Sequence, residues 1–379
     1  MSAPATGCTA VILPPTAMSY HRVAGLPIVQ RIALSALRGG FDAVVALAPG
    51  DDGALRAVFA SDPRTAAIPL LADGRGIATE QVALIPSSCV VTTGALEQIR
   101  QAPINGTPLR FGTAAGGIVI GPRALVDNAA PSPTATALHG ELCVSVASPA
   151  EAEAAERALL ATLGSPSDGP IARFDRALST RISRHLVCTP LRPNHITTIG
   201  TLIGLSGAWA LAHGGYAWGV LGTLLFWFAV IIDGCDGEVA RLKFLESRLG
   251  YLYDVTTDNI VHAAIFAGMG IGLYRVDPSQ PFLLLGALLV GGLIAATAAT
   301  MTLLVPDPPT GQPLPRSTRG RWRQRLLRGF EALMNRDFAY MLLALAVLGR
   351  LDWFLWGAAI GTYVYAGALV LVYRWRDAD

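Results

Sequence analysis

Eight residues between positions 233 and 258 have the types and spacing of a site that gathers charge. They read Asp233-Gly-Cys-Asp236-Gly237-Glu-Val-Ala240-Arg241, then eight residues to Gly250, then Asp254 and Asp258. Positions 233, 236, 237, 240 and 241 recur at i, i+3, i+4, i+7 and i+8, which places them on one face of a helix. Positions 250, 254 and 258 share a face of the next helix. Only a short connection separates the two, so the acidic faces must turn toward each other or leave four carboxylates against lipid.

Four like charges a few ångströms apart raise one another's pKa unless something neutralises them. Two divalent cations balance four carboxylates, and hard oxygen ligands suit Mg²⁺ or Mn²⁺. Two such ions about 4 Å apart form a clamp for in-line displacement at phosphorus. Gly237 and Ala240 leave room for a nucleotide against the helix, and Arg241 can pair with a phosphate. The bland alternative is that these are ordinary charges at helix ends. With each residue type near one in twenty, eight fixed positions match by chance about once in 10¹⁰ placements, which sets that alternative aside.

The elements that must hold this site are membrane helices. The chain of 379 residues is 52% hydrophobic and 15% charged, against roughly 25% charged in a soluble domain. Long apolar segments run over 196–212, 216–232, 255–274, 281–305, 338–349 and 353–373, six expected spans with the fifth short for crossing. Residues 171–187 carry Arg173, Arg176, Arg181 and Arg184 among apolar residues, the pattern of a basic helix on an anionic membrane surface. Lys243, the six arginines of Arg316–Arg328 and the tail arginines mark the cytoplasmic side. The start of the chain lacks a charged stretch followed by an apolar run, so no secretory signal is expected and the site and both termini are expected in the cytoplasm, at the cell membrane. A net charge of +2 gives no reason to expect nucleic acid as a partner. The five cysteines are scattered without a C-x-x-C pair, which argues against a disulfide framework or a structural zinc site.

The run from Asp233 to Asp258 resembles the signature of the CDP-alcohol phosphotransferase family, with all eight fixed positions present at the family spacing. The resemblance covers residues 170–375. It implies a six-helix membrane fold, usually a homodimer, and two Mg²⁺ or Mn²⁺ ions on Asp233, Asp236, Asp254 and Asp258. It implies that Asp258 is also the base that activates the acceptor hydroxyl, and that Gly237, Ala240 and Arg241 hold the CDP moiety, with Ser247 beside them. Pro193-Asn194-His-Ile-Thr197 fits a turn found before the family's first span, which brings in Asn194 and Thr197 as nucleotide contacts. The implied reaction moves a phospho-alcohol group from a CDP-linked donor to a hydroxyl acceptor and releases CMP. For the acceptor, Lys243, Arg248, Arg316, Arg319 and Arg336 are the basic candidates, with Arg336 the best placed. Each is also explained by the charge bias of cytoplasmic loops. His262, one turn beyond Asp258, could line the acceptor pocket, although a core histidine is the commoner case.

Residues 1–165 have a different grammar. Ala10–Leu13, Ala43–Leu47, Val82–Ile85, Gly117–Ile120 and Leu142–Val146 read as strands, and Pro27–Leu37 and Pro149–Leu163 as helices. This predicts an α/β sandwich on a mainly parallel sheet, with loops over Gln101–Gly116 and Asn128–Thr136. The order Ala10–Leu13, Val23-Ala-Gly-Leu-Pro27, then a helix into Phe41-Asp-Ala-Val-Val45 resembles a sugar-nucleotide cytidylyltransferase domain, which some family members carry in fusion to make CDP-inositol. Its catalytic parts are replaced here. Pro14-Pro15-Thr16 stands where a Gly-rich phosphate loop is needed, the domain has no lysine, and Pro86-Ser87-Ser88 stands where a metal-binding acid is expected. The domain is therefore expected to be an inactive nucleotidyltransferase-like domain with a scaffolding or regulatory role. The boundary near 165 leaves 166–379 as the juxtamembrane helix and membrane domain. Two other functions compete: a bifunctional chain whose front half still makes its CDP-alcohol, and a cation-binding membrane transporter. A transporter more often breaks its helices at the bilayer midplane.

Overall fold

A computed structural model describes residues 7–50, 52–104, 107–112, 116–127, 132–164, 170–303 and 337–374. The chain divides into two compact units, one of Met1–Pro166 with Val187–Thr189 and Leu242–Phe244, the other of the remaining residues.

The first unit is an α/β fold. Its strands in chain order are β1 (Cys8–Ile12), β2 (Arg22–Val23), β3 (Leu26–Pro27), β4 (Ala43–Leu47), β5 (Leu70–Leu71), β6 (Gln81–Ile85), β7 (Cys89–Val91), β8 (Leu109–Phe111), β9 (Ile118–Pro122), β10 (Thr134–Thr136) and β11 (Cys143–Ser145). Seven of them form one sheet in the order β10-β8-β9-β6-β1-β4-β5. β1 is parallel to both β4 and β6, β4 to β5 and β8 to β10, while β9 runs antiparallel to β6 and β8. All five residues of β1 are buried. A central strand covered on both faces carries such an unbroken apolar run rather than an alternation. Helix α1 (Ile28–Arg38) makes the crossover from β1 to β4, and α2 (Gly53–Ala60), α3 (Thr93–Gln101) and α4 (Pro149–Ala161) complete the unit.

Two expectations need correction here. The supposed loops Gln101–Gly116 and Asn128–Thr136 contain β8 and β10. Each is three residues long, and β10 is exposed at the sheet edge, so neither shows an apolar pattern. The strand read over Leu142–Val146 exists as β11, but it pairs antiparallel with β7 in a separate two-stranded sheet.

The second unit is helical: α5 (Pro170–Leu186), α6 (Pro193–His213), α7 (Tyr216–Lys243), α8 (Arg248–Val276), α9 (Phe282–Leu303), then helices over Asp337–Val347 and Leu351–Arg374. The last six of these coincide with the six apolar segments of the sequence. Among the described residues, α6, α7 and α8 are long and apolar enough to cross a membrane. Helix α6 packs on α8 with glycine at the contact. A Cβ on Gly268 would lie 2.3 Å from the Ala208 carbonyl oxygen, and one on Gly272 would lie 1.9 Å from that of Leu211. Small residues let backbones approach where helices must associate without a hydrophobic driving force. A core of Phe226, Ile265, Met269, Leu342 and Leu355 continues the packing.

Candidate metal and nucleotide site

The signature falls on the facing ends of α7 and α8. Helix α7 ends as the Leu245 amide bonds back to the Ala240 carbonyl at 2.8 Å. Ser247 then caps α8, its hydroxyl accepting the Gly250 amide at 3.0 Å. This tight corner folds Asp254 back against α7. One carboxylate oxygen each from Asp233, Asp236 and Asp254 lies within 4.8 Å of the others. Asp236 is buried, and its Oδ2 accepts the hydroxyl of Thr197, which also donates to the Pro193 carbonyl at 3.2 Å. Three carboxylates drawn together in a largely enclosed place repel one another, and a hard divalent cation with oxygen ligands is the group that this donor set fits.

Asp258 stands outside that trio. Its side chain is half exposed, and the His262 Nδ1 lies 3.1 Å from its Oδ1 and 2.7 Å from its carbonyl oxygen. The His262 ring is surrounded by Phe226, Phe266 and Phe338, with centroids 5.3–6.3 Å away. Asp258 and Asp233 line one small recess with Thr197, Phe226 and Val261.

Next to the trio is a cavity of about 290 Å³, near the lower end of the range of about 300–1,000 Å³ usual for ligand pockets. Asn194, Thr197, Asp236, Gly237, Ala240, Arg241, Ser247, Gly250 and Asp254 line it, together with Leu245, Glu246 and Tyr251. The first turns of α6 and α8 both open onto it, and helix N-termini favour anions. Gly250 fits this closure closely, since a Cβ there would sit 3.0 Å from the Ser247 hydroxyl and 3.5 Å from the Asn194 side-chain oxygen. A Cβ on Gly237 would meet only the Arg241 guanidinium, at 3.4 Å, so bulk at that position projects toward the cavity without striking the backbone.

The structure thus brings all six nucleotide candidates into one cavity with two of the four aspartates. It does not bring Lys243 there: that ammonium donates to the Thr189 carbonyl at 2.7 Å. Arg316, Arg319 and Arg336 lie outside the described residues. Sequence reasoning missed the Thr197–Asp236 bond, because the spacing Pro-Asn-x-x-Thr carries no hint of which side chain the threonine meets. It also missed Tyr251 and Glu246 on the cavity wall, which lie between the residues of the motif.

In the α/β unit, the chain bonds to itself just beyond β1 and β6. The Ser87 hydroxyl, after β6, donates to the Pro14 carbonyl, after β1, at 2.8 Å. The Tyr20 hydroxyl donates to Asp52 Oδ2 at 2.8 Å, while Asp52 Oδ1 accepts the Leu55 amide at 2.9 Å. That amide holds the Asp52 carboxyl below its usual range. Burial, then the bond to Asp52, pushes the Tyr20 phenol up to about 12.

Residues 191–364 match the family model for CDP-alcohol phosphatidyltransferase. The matched stretch includes the corner just described. Among individual proteins it is similar to the bifunctional IPC transferase and DIPP synthase of Rubrobacter xylanophilus, 34% identical over 136 residues, 36% of this chain and 30% of that protein. It is also similar to the phosphatidylinositol phosphate synthase of Mycobacterium bovis, 34% identical over 92 residues, 24% of this chain and 42% of that protein. The chain thus matches less than half the length of either relative. The crystal structure of Mycobacterium tuberculosis phosphatidylinositol phosphate synthase with CDP-DAG bound is 24% identical, covering 51% of this chain and 92% of that one with a TM-score of 0.35.

Proposed function

We propose that this protein transfers a phospho-alcohol group from a CDP-linked donor to a hydroxyl acceptor and releases CMP. The observation that carries the reading is the single cavity that gathers Asn194, Thr197, Gly237, Ala240, Arg241 and Ser247 beside Asp236 and Asp254. Asp233, Asp236 and Asp254 would hold a divalent cation, Mg²⁺ or Mn²⁺, with Asp258 available to a second. Such an ion supplies charge neutralisation at the diphosphate. The protein's own groups do the rest. Gly237 and Ala240 make space for the nucleotide, and Arg241 pairs with a phosphate. Asp258 accepts the proton of the acceptor hydroxyl as that oxygen bonds to the phosphorus of the alcohol phosphate. The bond from that phosphorus to the bridging oxygen breaks, and CMP departs with the electron pair.

The proposal admits two donor classes: a CDP-linked lipid with a polyol-phosphate acceptor, or a CDP-linked polyol with a polyol-phosphate acceptor. Purified protein with Mg²⁺ and a panel of both, read by mass spectrometry of CMP, decides between them. Absence of CMP release from every donor would refute the reading.

The membrane arrangement belongs to the same proposal. Six helices span, α5 lies along the cytoplasmic surface, and two copies pair. Support comes from α6, α7 and α8, long and apolar enough to cross. Helix α5 exposes Ile171 and Phe174 beside Arg173, Arg181 and Arg184, apolar and cationic groups suited to an anionic lipid surface. Cys188 is the exposed cysteine among the five. An impermeant maleimide should label it from the cytoplasmic side only.

The α/β unit, residues 1–165, is proposed as a nucleotidyltransferase-like scaffold that has lost catalysis. Pro14 and Pro15 remove two amide donors from the turn after β1, and Ser87 closes on Pro14. The word "bifunctional" in one relative's name favours the opposite reading, that the unit makes the donor. Full-length protein given CTP, Mg²⁺ and alcohol phosphates should release no pyrophosphate. Release would establish the bifunctional reading.

A further inference from the structure

Helix α5 buries its polar side. Asp175, Ser179 and Ser183, spaced one turn apart, are 0–2% exposed, whereas Phe174 on the opposite side is 58% exposed. The buried seam meets α7 within the signature itself. The Ser179 hydroxyl donates to Glu238 Oε1 at 2.6 Å, and Arg176 Nη1 lies 3.9 Å from the same oxygen. The Cys235 thiol donates to the Ser179 carbonyl at 3.5 Å, and the Ser183 hydroxyl donates to the Cys235 carbonyl at 3.5 Å. The Tyr340 hydroxyl, on the helix Asp337–Val347, donates to Asp175.

Glu238 is 1% exposed, and its Oε2 is buried without a hydrogen bond among the described residues. A carboxylate kept there is costly. Replacing a buried ion pair by apolar groups of like volume is often neutral or stabilising, so packing alone does not explain this residue. Its position on α7 does. At about 100° per residue, Glu238 lies about 200° around the helix from Asp236, so it grips α7 from behind while Asp236 faces the cavity. A helix with side chains has a radius of about 5–6 Å, and a turn of about 20° would move a carboxylate oxygen by about 2 Å. Ligand distances tolerate only about ±0.2 Å.

We propose that Glu238 is a positioning residue: its bond to Ser179 of α5 fixes the rotation of α7 and so the aim of Asp233 and Asp236 at Asp254. The inference rests on the carboxylate trio being a metal site. It is tested by Mn²⁺ affinity of the full-length protein in detergent, measured by paramagnetic resonance of free Mn²⁺, together with the thermal midpoint. Glu238→Met fills the volume but is only a weak hydrogen-bond acceptor. It should weaken Mn²⁺ binding by about 10-fold or more, the usual effect of losing an outer-sphere partner, with the midpoint unchanged or higher. Glu238→Gln still accepts from Ser179 and should stay within about threefold of the parent. Ser179→Ala should weaken binding in the same direction as Glu238→Met, and it decides the matter if Glu238→Met does not fold. Parent-like Mn²⁺ affinity in Glu238→Met or, failing that, in Ser179→Ala would overturn the proposal, as would weakened binding matched by an equal loss of midpoint. Parent protein that binds Mn²⁺ but releases no CMP would refute the transferase reading alone.

Discussion

The two halves of this chain place their carboxylates differently. In the α/β unit, Ser87 reaches Pro14, Tyr20 reaches Asp52, and Asp52 also caps α2. In the helical unit, Asp233, Asp236 and Asp254 are held together although like charges repel, beside a cavity large enough for a ligand. Self-satisfied polar groups are what a scaffold retains. Carboxylates that repel one another persist together where a cation can be gathered.

The sharpest way to break this comparison is to neutralise one member of the trio. Asp236→Asn removes a charge but keeps the acceptor for Thr197. Transferase turnover should fall at least about 1,000-fold, a loss of about 4 kcal/mol in transition-state stabilisation. Stability should move the other way, because one repelling charge is gone, so the thermal midpoint should hold or rise. If the midpoint instead falls steeply, the carboxylates are structural partners of each other and the contrast between the halves disappears.

Next in size is the cavity. Gly237→Leu places a side chain where only the Arg241 guanidinium stands in the way. Donor affinity, measured by calorimetry with a CDP-alcohol, should drop about 100-fold or more, about 2.7 kcal/mol, while the protein folds normally. Parent-like affinity would put the nucleotide elsewhere. A packing change gives a smaller effect and no site phenotype. Gly268→Ala drives a Cβ toward the Ala208 carbonyl, backbone that cannot yield cheaply, and should cost about 1–3 kcal/mol of stability. A neutral result would mean that α6 and α8 are not held in close backbone contact.

Much of this was legible in the sequence because it depended on spacing along single helices. The i, i+3, i+4, i+7, i+8 pattern put Asp233, Asp236, Gly237, Ala240 and Arg241 together, and a short corner forced Asp254 toward them. Strands β1, β4, β6 and β9 showed as compact apolar runs because both faces are covered. What stayed hidden depended on partners distant in sequence. Nothing local tells that Thr197 meets Asp236, that Ser179 meets Glu238, or that Asp258 pairs with His262 outside the trio. The short strands β8 and β10 were hidden for another reason. Three-residue strands among Pro, Gly and Thr are formed by their neighbours, not by their own pattern.

The smallest predicted effect tests the closed side of the comparison. Tyr20→Phe deletes the phenol that donates to Asp52 and leaves the ring. A hydrogen bond to a charged acceptor contributes about 1.5–3 kcal/mol, and the open setting of Asp52 reduces this to about 1 kcal/mol. The loss should show in denaturant unfolding of the α/β unit within the full-length protein, with CMP release unchanged. The pH dependence carries a sign. The folded-state carboxyl of Asp52 lies below its usual value, so its stabilisation is complete above the unfolded value of about 3.9. It is lost as pH falls through the folded value. The difference between parent and Tyr20→Phe should therefore be constant near neutrality and shrink below about pH 4. A difference that grows in acid would mean that Tyr20 and Asp52 do not share a charged hydrogen bond. A fall in transferase rate at neutral pH would mean that the closed polar groups of the α/β unit serve the reaction, and the division between the two halves would have to be redrawn.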